Sequence, residues 1–213
     1  MAEVSSPKWR RRKDARPSEI VAAALACFAE RGFAATRLDE IATRAGVTRG
    51  TLYLYFDSKE ELFKAVVRQS IGPVLSRVGD MAATATAPTP ELLRQVILAI
   101  PDAVLDSPVS ALPKLVISEA ANFPELARFY LEEVVHPAKH MIAGLLRRGI
   151  ARGEFRAVDV EQTVICIIAP ILLSALWRHS LERFDTESLD GHAVARTHVD
   201  LLLHGLAPMG GRS

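Results

Sequence analysis

The 213-residue chain is 49% apolar and 24% charged, enough for a sizeable core in one large or two small domains. Its formal net charge of +1 excludes a protein that coats nucleic acid over its whole surface. The charge is uneven, +4 over residues 1–68 and −3 over residues 69–213, as expected when only one end meets phosphate.

Residues 1–17 read as a basic arm, with Lys8, Arg10, Arg11, Arg12, Lys13 and Arg16 against Glu3 and Asp14. No apolar run follows these charges, so no secretory signal is read and a cytoplasmic location is expected. The arm is either a mobile, solvated tail or an extension that adds phosphate or minor-groove contacts. A first helix is expected from near Ser18, its cap, with Ile20, Ala24, Cys27 and Phe28 on one face. Gly32 ends it by accepting the left-handed conformation. A second helix follows over about 38–45. Thr36 with Asp39 three residues on resembles a capping box, and Leu38, Ile41, Ala42 and Ala45 form the buried side.

Gly46-Val47 reads as a tight turn. A third helix spans about 49–56, capped by Thr48, with Leu52 and Phe56 in the core. Ser58-Lys59-Glu60-Glu61 is a full capping box that starts a long fourth helix, running to Gln69 or beyond. Residues 82–90, rich in Ala, Thr and Pro, read as a loop. Further helices are expected near 91–106, 110–120, 123–152, 159–183 and 188–206. Pro137 and Pro170 should kink two of these or mark their joints. The apolar spacing is helical nearly throughout and no strand-like alternation occurs. The fold expected is all-α, with about nine helices. A three-helix unit over 18–63 precedes a larger helical domain over 64–206 and a short tail over 207–213.

Cys27 and Cys166 lie far apart in apolar helical patterns and read as small core residues in a reducing compartment. The longest apolar stretch, 164–177, holds 14 residues and includes Pro170 and Ser174. A bilayer span needs roughly 20 apolar residues, so a buried helix is expected and no membrane association. No nucleophile stands at a motif spacing from a base, and there is no Gly-rich phosphate loop, so neither an enzyme nor a cofactor is expected. His136, His140 and Glu132 share a helical face as metal ligands can, but Pro137 disturbs it and no metal is expected.

Residues 38–56 are short helix, glycine turn, short helix, the unit whose second helix enters the major groove. The second helix, Thr48-Arg49-Gly50-Thr51-Leu52-Tyr53-Leu54-Tyr55-Phe56, carries hydrogen-bonding groups along one side. Its glycine allows a groove wall to approach the backbone. Such a helix-turn-helix reads few base pairs. Two copies, with half-sites about 34–36 Å apart, would read a nearly palindromic site, so a homodimer is expected.

Residues 20–63 resemble the DNA-binding domain of the TetR family. The resemblance rests on Ala24–Phe28 followed by Glu30-Arg31-Gly32-Phe33, then Thr36, Ile41-Ala42 and Ala45-Gly46-Val47. It rests above all on Gly50-Thr51-Leu52-Tyr53-Leu54-Tyr55-Phe56 with Ser58-Lys59-Glu60-Glu61-Leu62. It implies double-stranded operator DNA as partner, contacted by Thr36, Arg37, Thr48, Arg49, Gly50, Thr51, Tyr53, Leu54, Tyr55 and Lys59. Thr48 and Arg49 are the base readers, since an arginine can donate two hydrogen bonds to guanine O6 and N7. Thr36, Tyr53, Tyr55 and Lys59 are phosphate contacts, and Thr51 meets a phosphate or a thymine methyl. Leu54 departs from the family pattern, where histidine is common, and offers an apolar touch instead.

The resemblance further implies a ligand-responsive regulator, a repressor released by a small, mainly apolar effector. The alternatives are an activator of the same fold, or a helical small-molecule or protein-interaction module without specific DNA binding. A pocket would be lined by Leu62, Val66, Val104, Leu115, Phe123, Phe129, Leu145 and Ile168. The dimer interface would use Ile167, Ile171, Leu172, Ala175 and Leu176 with Val194, His198, Leu201 and Leu202, because a helix apolar nearly all round needs cover on more than one side.

Overall fold

Ten α-helices make up most of the described residues of this computed structural model, 8–84 and 86–208, with no strand among them. They group into two compact units, residues 1–69 and 70–213.

In the first unit, α1 (Lys8–Arg31) starts ten residues before the expected Ser18 and runs through Pro17. The Lys, Arg and Ala residues there are strong helix formers and carry the helix past a proline that costs one backbone bond. Ser18 is therefore interior and does not cap. The part of the expected arm over 1–7 lies outside the described residues. At the other end Gly32 behaves as expected, with φ 81° and its N–H on the Phe28 carbonyl at 2.9 Å.

Helix α2 (Leu38–Arg44) closes in a Schellman motif. The Gly46 N–H donates to the Thr43 carbonyl and the Val47 N–H to the Ala42 carbonyl, at 3.1 and 3.0 Å. Gly46 has φ 66°, which a side chain would strain. Helix α3 (Arg49–Tyr53) follows at once, and Thr48 caps it by accepting from the Thr51 N–H at 3.1 Å. It is shorter than the expected 49–56. The N–H groups of Leu54 and Tyr55 turn back to Thr51 and Leu52 in tight i to i−3 bonds, which end the helix.

The core of this unit is Ile20, Ala24, Cys27, Phe28, Phe33, Ile41, Leu52, Leu62 and Phe63. Phe28, Phe33 and Phe63 meet with ring centroids 5.4–6.0 Å apart, a tilted and edge-on cluster that favours one arrangement of its elements. Leu52 is fully buried as expected, whereas Phe56 is only half-buried, because it lies past the end of α3.

Helix α4 (Lys59–Thr84) begins at Ser58, whose Oγ accepts from the Glu61 N–H at 3.1 Å. The boundary between the two units falls within it. The second unit contains α5 (Thr89–Val104), α6 (Ala111–Glu119), α7 (Pro124–Tyr130), α8 (His136–Ala151), α9 (Val160–Ser180) and α10 (Gly191–Leu206). A π-helical turn over Leu131–Val135 joins α7 to α8 without a break, so the ten segments form nine rods. Pro137 stands two residues past that turn, after His136. The wider π turn relieves the clash its ring would make with the preceding turn, so the expected joint is a bulge. Leu92, Val96, Ile97, Ile142, Leu146, Val164, Ile167 and Val199 form the centre of the core here.

Helix α9 packs on α5, α6, α8 and α10. By length and hydropathy it would pass for a bilayer span. One side is buried, through Val164, Ile167, Ile171 and Ala175, and the other carries Ile165 and Leu173, 48% and 56% exposed. Cys27 is buried as expected, but Cys166 is exposed on that open side, because a short side chain takes whichever face its turn gives it.

Gly149 of α8 is buried under the Phe155 ring, and a methyl added to it would stand 2.1 Å from a ring carbon. Replacement of Gly149 by Ala is expected to displace Phe155 and cost about 1–3 kcal/mol in urea unfolding. Gly144→Ala on the same helix meets open space and is expected to be neutral or stabilising by up to about 1 kcal/mol.

Candidate nucleic-acid interface

Thr48, Arg49 and Gly50, the start of α3, are all exposed, while Leu52 one turn on is fully buried. Helix α3 is thus anchored by one side and offers the other. On the offered side stand Arg49, Tyr53 (40% exposed) and Leu54 (81% exposed). Thr51 and Tyr55 are half-buried, and Arg37, at the start of α2, is exposed. The Thr48 and Thr51 hydroxyls lie 2.9 Å apart, so the cap also orients Thr51.

Arg49 reaches back to α2. Its Nε and Nη1 lie 3.3 Å from the Asp39 carboxylate oxygens, and Nη2 donates to the Tyr53 hydroxyl at 3.4 Å. The guanidinium carbon stands 5.5 Å from the Tyr53 ring centre. Two exposed pairs, Arg44–Glu30 and Arg31–Glu40, link α1 to α2. Arg44 holds the Glu30 carboxyl below its usual range.

Two expected phosphate contacts are corrected. Thr36 is 2% exposed, and its hydroxyl donates to the Gly32 and Cys27 carbonyls, at 2.6 and 3.2 Å. The cap of α2 falls one residue later than read. The Arg37 N–H donates to the Glu40 carboxylate at 3.3 Å, while Thr36 fastens the turn. The Lys59 ammonium donates to the carbonyls of Phe33, Ala34 and Thr36, at 2.7, 3.1 and 3.1 Å, and lies 4.5 Å from the centre of the Phe33 ring. Its donors are spent within the first unit. Sequence spacing identifies a helix start at Lys59 but carries no signal for a turn of carbonyls lying opposite it.

The expected ligand and dimer residues separate by burial. Leu62 and Val66 are fully buried in the first unit. Leu145 is core of the second unit, Leu115 and Phe129 are buried, and Val104, Phe123 and Ile168 are half-buried. Apolar spacing distinguishes inside from outside but not core from cavity wall. Ile167, Ile171 and Ala175 are buried within the chain and are removed from the dimer set. Leu172, Leu176, Val194, His198 and Leu202 are half-buried, and Leu201 is 67% exposed. Two open grooves of about 460 and 320 Å³ run along this side of α10, both bordered by His198 and Leu201. His136 and His140 are exposed, and the described residues contain no group of three His, Cys, Asp or Glu side chains that could hold a metal ion.

A short polar helix, capped, anchored on one side and presented by a glycine turn after another short helix, is the working part of a helix-turn-helix DNA-binding regulator. Comparison with known proteins identifies which kind. Residues 20–66 match the bacterial regulatory proteins of the tetR family, and residues 91–195 match the tetracyclin repressor-like C-terminal domain. The chain is 30% identical over 166 residues to the HTH-type transcriptional repressor KstR2 of Mycobacterium tuberculosis, spanning 77% of this chain and 82% of that protein. It is 26% identical to KstR2 of Rhodococcus jostii over 92% of this chain and 93% of that one. The solved structure of the ketosteroid regulator KstR2 of M. tuberculosis superposes with a TM-score of 0.69 at 28% identity, over 90% and 95% of the two chains. FadR of Bacillus subtilis, in complex with stearoyl-CoA, shares the fold with a TM-score of 0.70 at 23% identity, over 89% and 98%. The chain belongs to the TetR family of transcriptional regulators, and these relatives are regulators rather than enzymes.

Lys59→Met keeps the stem and removes the ammonium. It is expected to lower the stability of the full chain by about 1–3 kcal/mol, read by thermal unfolding. If Lys59 served only a phosphate, the same variant would leave unfolding unchanged and reduce only the salt dependence of DNA binding. Burial holds the His179 and His198 rings below the ordinary imidazole pKa, and Arg178 and Lys114 add to the effect at His179. The unfolded chain takes up these protons first as pH falls. The stability these two rings contribute is expected to be present above about pH 6.5 and to be lost as pH drops further. The double variant His179→Gln/His198→Gln is expected to flatten the fall of Tm with decreasing pH.

Proposed function

We propose that this protein is a cytoplasmic, dimeric repressor that holds operator DNA through two copies of α3 and is released by a small, mainly apolar effector bound in the second unit. The observation that carries the DNA reading is the joint exposure of Thr48, Arg49 and Gly50 at the start of a helix whose opposite side is fixed by Leu52. These groups suit the outer edges of base pairs, with Arg49 on guanine and Leu54 near a thymine methyl. Arg37, Thr51, Tyr53 and Tyr55 supply the flanking phosphate contacts.

The dimer follows from the need for two half-sites and from the apolar side of α9 and α10. That side carries Ile165, Leu173 and Leu201 exposed, with Leu172, Leu176, Val194, His198 and Leu202 beside them. An apolar effector is supported by the relatives, repressors named for a ketosteroid and a fold neighbour holding stearoyl-CoA. The effector acts by favouring a dimer shape in which the recognition helices no longer match the operator spacing. Helix α4, which runs on from the Lys59 clamp, is the element that links the two events.

A site selected from a random duplex pool by the full chain should be a near-palindrome. Its affinity should fall steeply as salt rises, because binding releases counterions. Arg49→Ala should weaken binding to it by about 1–3 kcal/mol and relax base choice at one position in each half. Recovery of no enriched sequence, or unchanged base choice in Arg49→Ala, would overturn the reading. A reporter driven from the selected site distinguishes repression from activation.

A further inference from the structure

The pair between Asp39 and Arg49 has a role that stability does not explain. Both side chains are more than half exposed, 54% and 62%, and such surface pairs are worth only about 0.2–1 kcal/mol. The pair nevertheless joins the two helices of the reading unit, Asp39 on the first turn of α2 and Arg49 at the first position of α3. Asp39 holds one side of the guanidinium at 3.3 Å, and the Tyr53 hydroxyl receives Nη2 on the other. A long side chain on a short exposed helix would otherwise sample many rotamers, at an ordering cost of about 2 kcal/mol when DNA arrives.

The placement of an acid here opposes simple affinity. A carboxylate beside the helix that meets DNA repels phosphate, and an uncommitted arginine would bind any phosphate within reach. With Asp39 in place, Arg49 already has an anionic acceptor, so a phosphate must compete with it. Guanine presents two acceptors, O6 and N7, in the fork geometry of a guanidinium, and rewards the exchange more than any other base edge. We propose that Asp39 is a specificity-determining positioning residue. It keeps Arg49 off the DNA backbone and poised toward base edges, lowering affinity for arbitrary DNA in order to sharpen discrimination at one base pair of each half-site. The proposal rests on the DNA-reading function above and adds to it a residue that touches no base itself.

The test uses full-length Asp39→Ala, Asp39→Asn, Arg49→Ala and the double variant Asp39→Ala/Arg49→Ala. Each is titrated against the selected duplex, against versions changed at the pair where Arg49→Ala loses base choice, and against an unrelated duplex. Thermal unfolding is recorded in parallel. Asp39→Ala is expected to unfold within a few degrees of wild type, bind the unrelated duplex several-fold more tightly and lose most of the discrimination at that pair. Asp39→Asn, which keeps an acceptor without the charge, should fall between wild type and Asp39→Ala. In the Arg49→Ala background, Asp39→Ala should change discrimination no further. Loss of base choice in Arg49→Ala but full retention in Asp39→Ala would overturn the positioning role alone. Full retention in both would remove Arg49 as a base reader and the role of Asp39 with it. An equal loss from Asp39→Ala with and without Arg49 would also contradict the proposal, since the effect would not pass through Arg49.

Discussion

One ammonium group holds the reading unit in place. The Lys59 Nζ lies within 2.7–3.1 Å of the carbonyls of Phe33, Ala34 and Thr36, and against the Phe33 ring. These carbonyls belong to the turn between α1 and α2. A helix end and the turn after it leave acceptors that need donors, and here one side chain from the first residue of α4 supplies three. The Thr36 hydroxyl secures the same turn from within, on Gly32 and Cys27. Phe28, Phe33 and Phe63 lock beside it. Because α1, the turn and α4 are fixed to one another, the path of α2 and α3 away from them has little freedom, and the exposed end of α3 is offered in a defined direction.

This arrangement separates stability from recognition. The groups that fix the unit face inward, while those available to DNA, such as Arg49, Tyr53 and Leu54, lie on the outer side. Under the proposed function, substitutions on that outer side change the sequence read without disturbing the support. Leu54 illustrates this, an apolar side chain 81% exposed that contributes nothing to the core.

The local signals were legible from the sequence. Gly32, Gly46 and Thr48 each stand where the backbone needs a left-handed residue or a cap, and each does the expected work. The exposed Thr48-Arg49-Gly50 end agrees with the helix-turn-helix reading, and Leu52 is buried as expected. Partners distant in sequence were not legible. The resemblance implies phosphate contacts at Thr36 and Lys59, and nothing in their spacing reveals the carbonyls of a turn folded against them. The Asp39 carboxylate on Arg49 was missed for the same reason. The apolar residues all round helix α9 lead to an expectation of cover on more than one side, but they do not say which side is internal. The structure puts Ile167, Ile171 and Ala175 inside and leaves Ile165 and Leu173 outside. The effector pocket was least legible, since Leu62, Val66 and Leu145 have the same periodicity whether they line a cavity or fill a core.

The central claim is that the exposed end of α3 enters the major groove twice, once from each half of a dimer. Methylation interference on the selected duplex tests it directly, because methylation at guanine N7 alters only the major-groove edge. The account predicts that binding is blocked by methylation at guanines in two clusters about 10–10.5 base pairs apart, or a multiple of that, on one face of the duplex. Interference in a single cluster, or at adenine N3 in the minor groove with guanine N7 silent, would contradict it.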